Sequence, residues 1–104
     1  MNASVTITKQ YYIRINHDVR LVDVLAENTF RNVKLFVNQH PTHPELIAVS
    51  QFDTGLLIAS HDTEEQALAE AHLLLNAYTA KQLREIIAEK IAAYGGPANQ
   101  EPQP

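Results

Sequence analysis

Residues 62 to 94 carry two apolar stripes at helical spacing and run into Gly95-Gly96-Pro97, and no other feature limits the fold so strongly. In the first stripe Ala67, Leu68, Ala71, Leu74, Leu75 and Tyr78 mark one face of a helix over three turns. Asp62-Thr63-Glu64-Glu65 reads as its capping box, with Asp62 as N-cap and Glu65 reaching back from the third helical position. Leu83, Ile86, Ile87, Ile91 and Tyr94 form the second stripe. Thr79-Ala80-Lys81-Gln82 reads either as a second capping box or as helix interior, so one long helix and two shorter ones both remain open. Gly95-Gly96-Pro97 stops the helix, and the polar segment 97-104 is expected to be a disordered tail behind one domain, 1-96.

Ahead of the helices the pattern changes to period two. Val5 to Ile15 alternates, with Val5, Ile7, Tyr11, Ile13 and Ile15 on one face, and reads as a half-buried strand. Val19 to Asn28 fits a short helix through Leu21, Val22, Leu25 and Thr29, although Val22 and Val24 also fit period two. Val33–Val37, Leu46–Phe52 and Leu56–Ser60 read as strands. The two prolines of 38–44 demand a loop, and Asp53-Thr54-Gly55 is a tight link with glycine at positive φ. The expected order is β-α-β-β-β-α-α. This is an α+β fold, an antiparallel sheet of three to four strands with helices packed on one face.

A helix that projected from such a domain would expose Leu83, Ile86, Ile87, Ile91 and Tyr94. These residues are therefore the expected oligomer interface, in a homodimer, unless the helix folds back.

The chain has 104 residues, 45% of them apolar and 19% charged, with no cysteine. Those values suit one folded domain and exclude disulfides and thiolate chemistry. The start, Met1-Asn2-Ala3-Ser4-Val5-Thr6, lacks a signal-peptide pattern, and no membrane span is present; a cytoplasmic protein is expected.

Net charge is −4, unevenly placed. Lys9, Arg14, Arg20, Arg31 and Lys34 lie early, and Lys81, Arg84 and Lys90 lie late. No Lys or Arg falls between Leu35 and Ala80, a stretch that holds Glu45, Asp53, Asp62, Glu64, Glu65 and Glu70. That segment repels nucleic acid and attracts basic surfaces. Asp62, Glu64, Glu65 and Glu70 are the candidate partner-binding residues, though capping and solvation also explain acids at a helix start.

Catalytic parts are missing. Ser4, Ser50 and Ser60 lie outside any nucleophile elbow, and Gly55, Gly95 and Gly96 outside any phosphate-binding loop. His40, His43 and His61 with Asp62 lack a recognised zinc spacing and read as loop residues. His72 reads as a hydrogen-bonded boundary residue, and His17-Asp18 as a turn and a cap. No catalytic residue, metal or cofactor is assigned, and a non-enzymatic protein is expected.

The strand run from Val33 followed by Asp62-Thr63-Glu64-Glu65-Gln66-Ala67-Leu68-Ala69-Glu70-Ala71 resembles the HicB-type antitoxin family, over residues 33-78. Its members place a helix with a Thr-Glu-Glu-Ala-like start behind a three-stranded sheet. Residues 19-78 also resemble the α-β-β-β-α order of the double-stranded-RNA-binding domain. Thr63-Glu64-Glu65-Gln66 stands where that family has phosphate-gripping lysines, so this resemblance implies a similar fold without RNA binding on that face.

The function expected is a small regulatory or inhibitory protein acting by protein–protein contact. It would be antitoxin-like, or a bacterial or phage anti-defence (anti-CRISPR-type) inhibitor, with a basic protein partner. The alternatives are a nucleic-acid-binding accessory protein using the basic N-terminal half, and a structural homodimer subunit.

Overall fold

The computed structural model describes residues 9–100. Six strands precede two helices: β1 (Gln10–Ile15), β2 (Asp18–Asp23), β3 (Ala26–Phe30), β4 (Val33–Gln39), β5 (Ile47–Gln51), β6 (Leu57–His61), α1 (Glu64–Leu75) and α2 (Ala80–Ala93). All strand pairings among the described residues are antiparallel. β1 and β2 form a separate hairpin, and β3-β4-β5-β6 form a four-stranded sheet. The class is α+β as expected, but the element order is not. The first part of the expected strand 5–15 lies outside the described residues.

The short helix expected over 19–28 is two strands instead. From Val22 to Phe30, exposed and half-buried residues alternate without a break: Val22, Val24, Ala26, Asn28 and Phe30 face inward. This period-two pattern, rich in β-branched residues before Val24, overrides the partial helical spacing. Two-residue loops link the strands. Asn16 sits at φ 57 in one, and Arg31 and Asn32 at φ 51 and 66 in the other, the left-handed geometry of tight hairpins.

The molecule has three layers rather than a sheet with helices on one side. β4 is buried almost throughout. Val33, Leu35 and Val37 point to one face, where they pack with Val49, Ala59, Ala67, Ala71, Leu75 and Leu83 beneath the helices. Phe36 points to the other face and packs with Ile13 and Phe52, ringed by Tyr11, Ile15, Val22 and Val24. Tyr11 meets Phe36 and Phe52 edge-on, at 5.1 and 4.8 Å between ring centres. The β1–β2 hairpin therefore covers the face of the sheet that the helices leave open.

α1 is capped by Thr63, not Asp62: the Thr63 hydroxyl accepts from the Gln66 backbone N–H at 3.2 Å. Its buried line is Ala67, Ala71 and Leu75, whose small first two members let the helix sit close on the sheet. Leu74 and Tyr78, expected in the core, are exposed. The two-helix alternative is the one adopted. Thr79 and Gln82 close a reciprocal capping box, with Gln82 N–H donating to the Thr79 hydroxyl (3.1 Å) and Thr79 N–H to Gln82 Oε1 (2.9 Å).

The disordered tail expected from residue 97 is instead docked over its described part. Ala98 N–H donates to the Asp53 carbonyl at 2.7 Å, and Asn99 is buried against β1.

Candidate interaction surface

The residues singled out as an acidic face fall into two groups. Asp62, Glu64 and Glu65 stand exposed around the first turn of α1, and none makes an ion pair among the described residues. Capping by Thr63 leaves all three carboxylates free to point outward at the positive end of the helix dipole. Glu70 is separate: it lies over β6, where its carboxylate pairs with His61 Nε2. At the other end of α1 Leu73 is 72% exposed, and Leu74 and, past the helix end, Tyr78 are exposed too, so the acidic start gives way to an apolar end.

The five early basic residues do not gather into a patch. Lys9 Nζ pairs with Glu27 at 2.7 Å, and Lys34 approaches the same carboxylate at 3.6 Å. Lys34 also lies over the Phe52 ring, 4.2 Å from its centre. Arg14 donates to the carbonyls of Thr54 (2.9 Å) and Gly96 (2.8 Å) and stacks on Tyr94 at 4.5 Å. Arg20 reaches the Pro41 carbonyl at 3.4 Å. Arg31 binds the end of α1 through Tyr78 O and Asn76 Oδ1. On α2, exposed Lys81, Arg84 and Lys90 are interspersed with exposed Glu85 and Glu89.

Lys9, Tyr11, Lys34, Phe52 and Asn99 line an open cleft of about 730 Å³ beside β1. Glu27 offsets one of its two positive charges and also accepts from the Tyr11 hydroxyl at 2.7 Å. The hydrogen bond from Lys9, then that from Tyr11, holds the Glu27 carboxyl below its ordinary range. The same bond to Glu27 raises Lys9.

The second stripe is largely used inside the chain. Leu83 is buried in the core and Ile87 packs against it; Ile86 and Ile91 are half-buried. Tyr94 alone is exposed, and it carries Arg14 on its ring. Leu83 is thus closed to a partner chain, because α2 folds back on the sheet instead of projecting.

The histidines have local roles. His40 Nδ1 accepts from the backbone N–H groups of Thr42 (3.2 Å) and His43 (3.1 Å), which ties the loop. His72 bonds Asn28 Oδ1 at 2.7 Å and stacks on Phe30 at 4.7 Å. Among the described residues no three His, Cys, Asp or Glu side chains converge as a metal site. No helix among them is long and apolar enough to cross a membrane.

Sequence reasoning missed Asn99, which sits in a segment whose prolines and polar residues suggest disorder. It also missed Leu73, which belongs to neither stripe. A leucine off the apolar face of a helix was the available signal. No family model, curated protein or solved structure matches the chain.

Proposed function

We propose that this protein is a small non-catalytic regulator or inhibitor that acts by docking a basic protein partner on the start of α1. The observation that carries this reading is the opposite fate of the acids at the start of α1 and the basic residues of the N-terminal half. Asp62, Glu64 and Glu65 are exposed and unpaired among the described residues. Lys9, Arg14, Arg20, Arg31 and Lys34, in contrast, each contact acids, carbonyls or rings of their own chain. Unpaired acids steer a basic partner and speed encounter, and exposed Leu73, Leu74 and Tyr78, towards the other end of α1, supply apolar area for a stable contact.

The β-β-β-α order of residues 33–75 supports the antitoxin-like form of this reading. An anti-defence inhibitor is the second form, since such a protein also needs only a surface. A nucleic-acid role is less well supported, because Lys9 and Lys34 share Glu27 and the three arginines are dispersed.

The test is affinity capture from an extract of the native host, using the wild type and the Glu64→Lys/Glu65→Lys chain. The expected result is a basic protein retained by the wild type and lost by the variant. Identical capture profiles would overturn the reading.

A further inference from the structure

Among the described residues β2 is an edge strand with no strand on its outer side. Its partner β1 directs the backbone N–H of Tyr12 to Asn99 and that of Arg14 to Gly55, away from β2. Hydrogen bonding in an antiparallel pair alternates, so Tyr11, Ile13 and Ile15 bond with their opposites Val22, Arg20 and Asp18. The backbone groups of Val19, Leu21 and Asp23 are left on the outer edge, where no strand pairs with them among the described residues. The same strand exposes apolar side chains: Val19 is 48% and Leu21 45% exposed. An apolar edge with free backbone donors and acceptors is a template for another strand.

The edge is complementary to itself. We propose that a second copy of this chain pairs antiparallel along β2, joining two hairpins into one four-stranded sheet. With Arg20 opposite Arg20 of the second copy on the two-fold axis, Val19 faces Leu21 of the second copy on each side. His17 then faces Asp23 of the second copy at both ends. Two apolar pairs are thus flanked by two pairs of opposite character, all on residues of this one strand and its turn. Asp18 faces Val22 of the second copy on each side, and the Arg20 pair is the one like-charge contact. It is relieved because Asp18 of the second copy lies diagonally across from each guanidinium, which also reaches the Pro41 carbonyl of its own chain. Registers one pairing step away lose either the facing apolar pairs or the His17–Asp23 match. This interface is remote in sequence from α1 and does not depend on the docking of a basic partner.

The chain has no cysteine, so single cysteines report the register without background. Arg20 on the axis is a pair without mutual hydrogen bonds, with Cα atoms about 4.5 Å apart, within disulfide reach. Leu21 and Leu21 of the second copy are two residues out of register and beyond about 7 Å. The experiment combines sedimentation of the full-length chain with oxidation of the R20C and L21C variants. The expected wild type is a concentration-dependent dimer. Leu21→Lys, at an exposed position and checked for folding by circular dichroism, weakens it at least tenfold. R20C cross-links readily and L21C slowly. A wild type that stays monomeric up to its solubility overturns the proposal, as does a dimer unaffected by Leu21→Lys. Faster cross-linking of L21C than R20C overturns the register.

Discussion

Asn99 lays its side-chain amide along the backbone of Tyr12: the Tyr12 N–H donates to Asn99 Oδ1, and Asn99 Nδ2 donates to the Tyr12 carbonyl, both at 2.8 Å. Asn99 Nδ2 also donates to the Phe52 carbonyl at 2.9 Å. One side chain thus copies a strand residue and closes the edge of β1 that β2 does not cover. Asn99→Ala leaves these backbone groups unmatched at a buried site and should cost about 1–3 kcal/mol. Urea unfolding gives the magnitude, and amide exchange at Tyr12 should quicken. An unchanged midpoint would mean that the segment after Gly96 is not docked.

Gly55 sits under the same segment at φ 72. A Cβ there would stand 2.9 Å from Ala98 Cβ and 3.1 Å from the Tyr12 carbonyl oxygen. Gly95, at φ 82, has nothing within 4 Å of such an atom. Gly55→Ala therefore meets backbone strain and a clash, Gly95→Ala strain alone. We expect a loss of about 2–3 kcal/mol for the first and about 1 kcal/mol for the second. Thermal denaturation of the two variants should preserve that order.

Phe36 is the side chain on which the hairpin rests, fully buried between Ile13, Phe52 and Tyr11. Phe36→Ala should cost about 3–5 kcal/mol. Because Phe36 belongs to the hairpin side of the sheet and not to the helix side, hydrogen exchange should rise first in β1 and β2. Equal loss of protection in α1 would contradict the layered packing.

Glu27 joins Lys9, Lys34 and Tyr11. Its carboxyl is held below the ordinary value by the hydrogen bond from Lys9 and then that from Tyr11. A depressed carboxyl stabilises the fold above its unfolded pKa, and that contribution fades as pH falls through the folded value. Lys9 is raised by the same bond, so its share is present below the ordinary lysine value and fades as pH rises through the folded one. Glu27→Gln should flatten the acid limb of stability against pH, by a small amount since the pair is largely exposed. A variant that unfolds in acid just as the wild type does would discount the contact.

The β4-β5-β6-α1 core was legible because its signals agree: prolines at 41 and 44, glycine at the β5–β6 turn, and strands of β-branched residues before a capped helix. The hairpins around β2 and β3 were not. Their turns use Asn16-His17 and Arg31-Asn32, which lack the Asn-Gly or Asp-Gly pair that marks such loops, although both hold left-handed residues. The hairpin layer had one sequence trace, the unbroken Leu35-Phe36-Val37. A strand covered on a single face alternates, and this one does not. In α1, spacing alone could not separate Ala67, Ala71 and Leu75, which are buried, from Leu74 and Tyr78 on the rim. The acids at 62, 64 and 65 were legible as charge, whereas Glu70 was set apart by His61, a contact between elements that no local pattern encodes.

The claim that α1 receives a basic partner is tested most directly by association kinetics against the captured protein, across a range of salt. Steering by Asp62, Glu64 and Glu65 predicts a wild-type association rate roughly 10–1,000-fold above that of the Asp62→Lys/Glu64→Lys/Glu65→Lys chain at low salt, converging with it at high salt. Equal rates with equal salt dependence for the two chains would contradict the claim.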